Sequence, residues 1–230
     1  MKITSLRILG NSLFFTGLIF GFALAVISTW NKVETVNYFF RGSTPYPPFN
    51  GLRCPIMITR SEQGIIKAHF DNPADEDDNF YYRVEISGRI EPRQIADNII
   101  VAPHDQEVAQ WVVSEKDIDL GFFIFMKIVI LPNGLHPAQE ATCGITVLNF
   151  QGLTGKQIFT IALVFSLLGI GFGLGLLQRT ILNKGPSSLL LGIVVLLGML
   201  SGLLGWWFLG ILFIVLAILL AAIFVRNILA

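Results

Sequence analysis

Acidic residues are missing from both ends of this sequence. All sixteen Asp and Glu fall between Glu34 and Glu140. Charged residues of both signs make up only 14% of the chain, against about a quarter in an ordinary soluble domain. A deficit segregated in this way points to membrane segments flanking a soluble domain. Between Lys32 and Lys156 eleven Lys or Arg stand against the sixteen acids, so the middle is acidic by five. The other basic residues, Lys2, Arg7, Arg179, Lys184 and Arg226, are scattered. No basic patch is present, which excludes a nucleic-acid partner.

Histidine and cysteine are equally scarce. His69, His104 and His136 have no metal-ligand spacing, and neither Cys54 nor Cys143 sits in a C-x-x-C pair, which argues against zinc. There is no G-x-S-x-G elbow and no phosphate-binding loop. The glycine-rich run from Gly169 to Gly175 lies inside an apolar stretch and lacks G-x-G-x-x-G spacing. Asp75, Asp77 and Asn79 occupy the opening ligand positions of an EF-hand loop, but Phe80 stands where glycine is needed and Ile86 where a Glu is required. A solvated acidic turn is therefore expected there. No cofactor, metal or catalytic residue is assigned, and the preferred reading is not an enzyme.

What the sequence does have is long apolar runs, at 13–30, 158–177, 189–204 and 207–225. A helix needs about 20 residues to cross a hydrocarbon core. The stretch 189–225 as one helix would be about 55 Å long, well beyond a core of about 30 Å, so it must turn back. Gly202 and Gly205 mark the turn. Trp206 and Trp207 beside it, like Trp30 after the first run, are expected as interface anchors. Lys2 and Arg7, Arg179 and Lys184, and Arg226 then share one side, which the positive-inside rule makes cytoplasmic. The expected topology is four transmembrane helices in the cell membrane, both termini cytoplasmic, with 31–157 outside. A cleaved signal ending near Ala23-Leu24-Ala25 is the rival for the first helix; the apolar run continues past it to Trp30. The runs contain no ionisable side chain, which disfavours a transporter acting alone. They contain small residues at four-residue spacing instead: Gly17, Gly21 and Ala25; Gly169 and Gly173, with Gly171 and Gly175; Gly198 and Gly202. These are expected to pack helix against helix.

The middle alternates like β-structure. Phe80, Tyr82, Val84 and Ile86 interleave with Tyr81, Arg83, Glu85 and Ser87, a period of two. Further strands are expected at 55–60 and 65–70, joined as a hairpin through Ser61-Glu62-Gln63-Gly64, and at 108–113, 122–131 and 143–149. The run 122–131 is apolar on both faces, as in a central strand. This pattern resembles immunoglobulin-like ectodomains over less than half of the chain, with Trp111 as a core tryptophan. A lone cysteine pair outside the cytoplasm favours a Cys54–Cys143 disulfide, with each cysteine opening a strand. The expected organisation is an anchor helix at 1–30, an extended aromatic and proline-rich linker at 31–53, an extracytoplasmic all-β sandwich at 54–156 and a three-helix transmembrane region at 157–230.

Fold alone does not give function. The best reading is a non-catalytic accessory or assembly subunit in contact with membrane lipid, whose sandwich binds or positions another membrane or extracytoplasmic protein. The rivals are a pore or transport component of a larger complex and a lipid- or glycan-handling enzyme.

Overall fold

The computed structural model describes residues 3–39, 46–133, 137–180 and 187–229. The chain divides into two compact units, residues 31–156 and residues 1–30 with 157–230.

The first unit is a β-sandwich. One sheet has the order β1–β3–β6, from Leu52–Arg53, Gly64–Asp71 and Gln106–Val113. The other has the order β2–β8–β7–β4–β5, from Met57–Thr59, Gln139–Leu148, Phe123–Ile130, Asp78–Ile86 and Arg93–Val101. Alternation fills the space between them. Ile66, Ala68 and Phe70 of β3 meet Phe80, Tyr82, Val84 and Ile86 of β4 and Ile124, Met126, Ile128 and Ile130 of β7. Phe70 packs on Phe80 and Tyr82, and Tyr82 meets Trp111 edge-on at 5.7 Å. Such ring pairs add about 1 kcal/mol beyond the area they bury. Trp111 is thus a core residue.

The edge of the sandwich departs from the expected hairpin. β2 pairs in parallel with β8, Met57 opposite Thr146, whereas β3 pairs with β1 and β6 in the other sheet. Ser61-Glu62-Gln63-Gly64 therefore crosses between sheets. Local alternation sets which face of a strand is buried, but not which strand it joins. Upstream, Phe49 and Pro47 bond both backbone groups of Glu140 at the start of β8. The chain leaves this edge to form β1 and returns to it as β2. Cys54 sits at the crossing and is bonded to Cys143. Cys143 lies in mid-strand rather than opening β8, which starts four residues earlier at Gln139. The edge strand β5 was not anticipated at all.

The second unit is helical. It contains α1 up to Trp30, most of α2, and all of α3 and α4; these helices run Ile3–Phe39, Gly155–Thr180, Ser187–Leu203 and Trp207–Leu229. Two of the four, α1 and α2, are long and apolar enough to cross a membrane, over Ile8–Phe39 and Gly155–Gln178. The described apolar stretches of α3 and α4, Ser188–Leu203 and Trp207–Ile223, are shorter. A core of Phe14, Leu18, Ile170, Leu177, Leu191, Val194, Val195 and Ala217 joins all four. Their outer faces are apolar too: Ile19, Phe172, Leu190, Leu212 and Leu219 are all exposed. The α3–α4 turn follows from Gly205, whose φ of +76° suits glycine. Its N–H bonds the Gly202 carbonyl while the Trp206 N–H bonds that of Ser201, the paired closure that ends many helices.

Candidate functional site

The outward face of the five-stranded sheet carries the most structured non-core chemistry. On β7 the outward residues are Phe123, Phe125, Lys127 and Val129; across from them stand Glu85 and Arg83 of β4 and Thr142 and Glu140 of β8. Part of this face is covered by the end of α1. The helix does not stop at Trp30 but continues to Phe39, so the first nine residues of the expected extended linker are helical. They gain there what an extended linker would lack, a surface to bury against. Asn31 donates to the Ile56 carbonyl at 3.0 Å and accepts from Thr146 Oγ1 at 2.6 Å. Lys32 Nζ donates to the Thr142 carbonyl at 3.1 Å. Tyr38 stacks on Phe125 with ring centroids 4.5 Å apart. The helix approaches this closely because Gly144 has no side chain. This cover accounts for a β7 that is apolar on both faces.

Beside the covered strip lies an open cleft of about 830 Å³. One wall is the end of α1, with Glu34, Asn37, Tyr38 and Phe39; the other is the sheet, with Arg83, Glu85, Lys127 and Val129; Asp119 and Leu120 close one end. Lys127 is bound to Glu140 at 3.0 Å, and both side chains are largely buried. Nearby in the core, burial first and the Asp97 carboxylate second push the Tyr82 phenol above its ordinary value.

The residues singled out by sequence fall elsewhere. Gly17 and Gly169 meet back to back: a β-carbon on Gly169 would lie 2.7 Å from Gly17 Cα. Gly173 faces the Phe14 backbone, Gly21 faces Ser166 and Val195, Gly198 faces Phe213 and Ala25, and Gly202 faces Ser28 and Thr29. Gly171 and Gly175 face no other described residue. Trp30 and Trp206 are exposed, and Trp207 stacks on Phe208. The acidic turn does not converge. Asp78 is buried and accepts from Asn133 Nδ2 at 2.8 Å, while exposed Asp75 pairs with exposed His104 at 2.9 Å. Asn72, buried beneath the turn, accepts from the Ala74 N–H and donates to the carbonyls of Glu76, Val101 and Ala102. His69 is exposed on β3, and His136 lies outside the described residues. Sequence reasoning also missed Glu62, whose Oε2 accepts the N–H of Gly155 at 2.7 Å and that of Thr59 at 3.0 Å. A carboxylate at the first turn of α2 is favoured by the helix dipole.

No protein-family model matches this sequence. No curated protein matches it either. Among solved structures, the chain is similar to a cycloisomaltooligosaccharide glucanotransferase of Paenibacillus, with TM-score 0.33 and 13% identity over 44% of this chain and 14% of that one. It is similar to a β-glucuronidase of Bacteroides uniformis, with TM-score 0.31 and 10% identity over 41% and 12%. It is also similar to a CARDB domain of Pyrococcus furiosus in complex with di-metal ions, with TM-score 0.32 and 9% identity over 47% of this chain and all of that one. The chain thus spans only a small part of the two enzymes. At these TM-scores none of the likenesses carries an argument about what this protein does.

Proposed function

We propose that this protein is a multi-pass membrane accessory or assembly subunit, with four spans, cytoplasmic termini and an extracytoplasmic immunoglobulin-like sandwich that binds or positions a partner protein. The observation that carries the reading is the outward face of the five-stranded sheet. Its β7–β8 side is covered by the chain's own helix, while its β4–β5 side, with Tyr81, Arg83, Asn98 and Ile100, is exposed. The Cys54–Cys143 disulfide supports an oxidising compartment. Apolar outer faces on all four helices support contact with lipid. The strand order supports the immunoglobulin-like description, with a long edge segment shared between the two sheets.

Two experiments test this. In intact cells, a membrane-impermeant thiol reagent should label a cysteine placed at Lys116 and leave one placed at Ser188 untouched; the reverse pattern inverts the topology. Purification from the native membrane in mild detergent should bring down a stoichiometric protein partner. A chain that purifies alone, also after cross-linking in the membrane, refutes the accessory role.

A further inference from the structure

We propose that the cleft beside the end of α1 is the docking site for the partner, and that it takes an extended polypeptide segment carrying basic and apolar side chains. The inference rests on the partner-binding reading above and adds where the partner sits and what it is made of.

The first argument is charge. The cleft carries three carboxylates, from Glu34, Glu85 and Asp119, against the cations Arg83 and Lys127. Lys127 is neutralised by Glu140 at 3.0 Å. Among the described residues that leaves Arg83 against three acids, within a stretch of sequence that is itself acidic by five. A cleft of one net sign, set in a domain of the same sign, concentrates ligands of the opposite sign.

The second argument is the mixture of surfaces. Between the acids stand Tyr38, Phe39, Leu120 and Val129. Leu120 is held exposed at a left-handed backbone position, φ 48°. Aromatic faces beside carboxylates suit Lys and Arg side chains, whose stems are apolar and whose heads are cationic. A volume of about 830 Å³ exceeds what a single ion needs and lies in the range of sites that enclose drug-sized ligands. The walls are also firm. Tyr38 is stacked on Phe125, and β4 and β7 are hydrogen-bonded to each other along the floor, so little ordering is required on binding.

The test uses the full chain in a non-ionic detergent and two dye-labelled probes, acetyl-Lys-Phe-Lys-Phe-Lys-amide and its Glu counterpart, followed by fluorescence anisotropy. The basic peptide should bind, and its affinity should fall as salt is raised. The pair Glu34→Gln and Glu85→Gln should weaken it about 10-fold or more, whereas Glu107→Gln on the other sheet should leave it unchanged. Glu34→Lys with Glu85→Lys should transfer the preference to the acidic peptide. Far-UV circular dichroism of each variant verifies that it is folded. Equal binding of both peptides, or binding indifferent to the Glu34 and Glu85 changes, overturns the cleft. If a partner co-purifies equally well with wild type and with the Glu34→Gln, Glu85→Gln variant, the accessory role stands and this docking site falls. If no partner is found at all, the accessory role falls.

Discussion

Gly144 and Thr35 lie in direct backbone-to-side-chain apposition: a β-carbon on Gly144 would collide with the Thr35 hydroxyl and stand 2.6 Å from the Asn31 carbonyl oxygen. The last turns of α1 therefore rest on β8 only because that strand has a glycine at the contact. Gly144→Val should lift the helix from the sheet and expose the Tyr38–Phe125 stack. The cost should be about 1–3 kcal/mol, as for overpacking elsewhere. Limited proteolysis read by mass spectrometry should show new cleavage within 31–39, absent from the wild type.

The glycines of α2 divide into two sets, which makes a sharp comparison. Gly169 and Gly173 touch the α1 backbone, whereas nothing among the described residues lies within 4 Å of a β-carbon on Gly171 or Gly175. Gly169→Leu or Gly173→Leu should lower the melting temperature of the detergent-solubilised chain by several degrees. Gly171→Leu and Gly175→Leu should leave it within a degree or raise it, since leucine also has the better helix propensity. Equal effects in both sets would show that the spacing of small residues does not set the α1–α2 contact.

Breaking the disulfide should act mainly through the unfolded chain. Cys54 and Cys143 are 89 residues apart, a loop for which the chain-entropy model gives about 4–5 kcal/mol. Denaturant unfolding of the Cys54→Ser, Cys143→Ser variant, followed by tryptophan fluorescence, should show a lower midpoint and a steeper slope, because the unfolded chain without its cross-link is less compact, and a stability in water lower by that amount.

Tyr82 supplies a pH dependence of known sign. Its folded-state pKa is raised, first by burial and then by Asp97. Its contribution to stability is therefore complete below the ordinary tyrosine value of about 10. Above that value the unfolded chain loses the proton first, and the contribution falls until the folded pKa is passed. Between pH 9 and pH 11.5 the wild type should lose stability more steeply than Tyr82→Phe, and the difference between the two curves isolates this group.

Much of the sandwich was legible because its strands obey a two-residue period. Phe80 to Ile86 is the clearest case, and the pairing of cysteines follows from their being a lone pair in a segment expected outside the cytoplasm. The α3–α4 turn was legible from Gly205 for a similarly local reason. The helical extension at 31–39 was not. Val33, Thr35 and Val36 are weak helix formers, Tyr46-Pro47-Pro48 follows closely, and the apolar run had ended at Trp30. The contacts that stabilise this helix come from Ile56, Phe125, Thr142 and Thr146, which no local pattern connects to it. β5 was hidden because Asp97 and Asn98 interrupt its alternation. The cleft was hidden with them, since one of its walls is the unexpected helix.

The pairing of an early edge with a late strand sets an order in time. β2 lies beside β8, Cys54 waits for Cys143, and Asn31 for Thr146, 115 residues further on. At about 5–20 residues per second of synthesis, Cys54 remains a free thiol for on the order of 5–20 s before its partner is made. The domain cannot close progressively from its beginning; its first segment stays open until the last strand arrives. A cell that makes this protein must protect an unpaired strand edge and a reactive thiol for that interval, and a chain truncated before β8 should be recognised as unfinished and degraded.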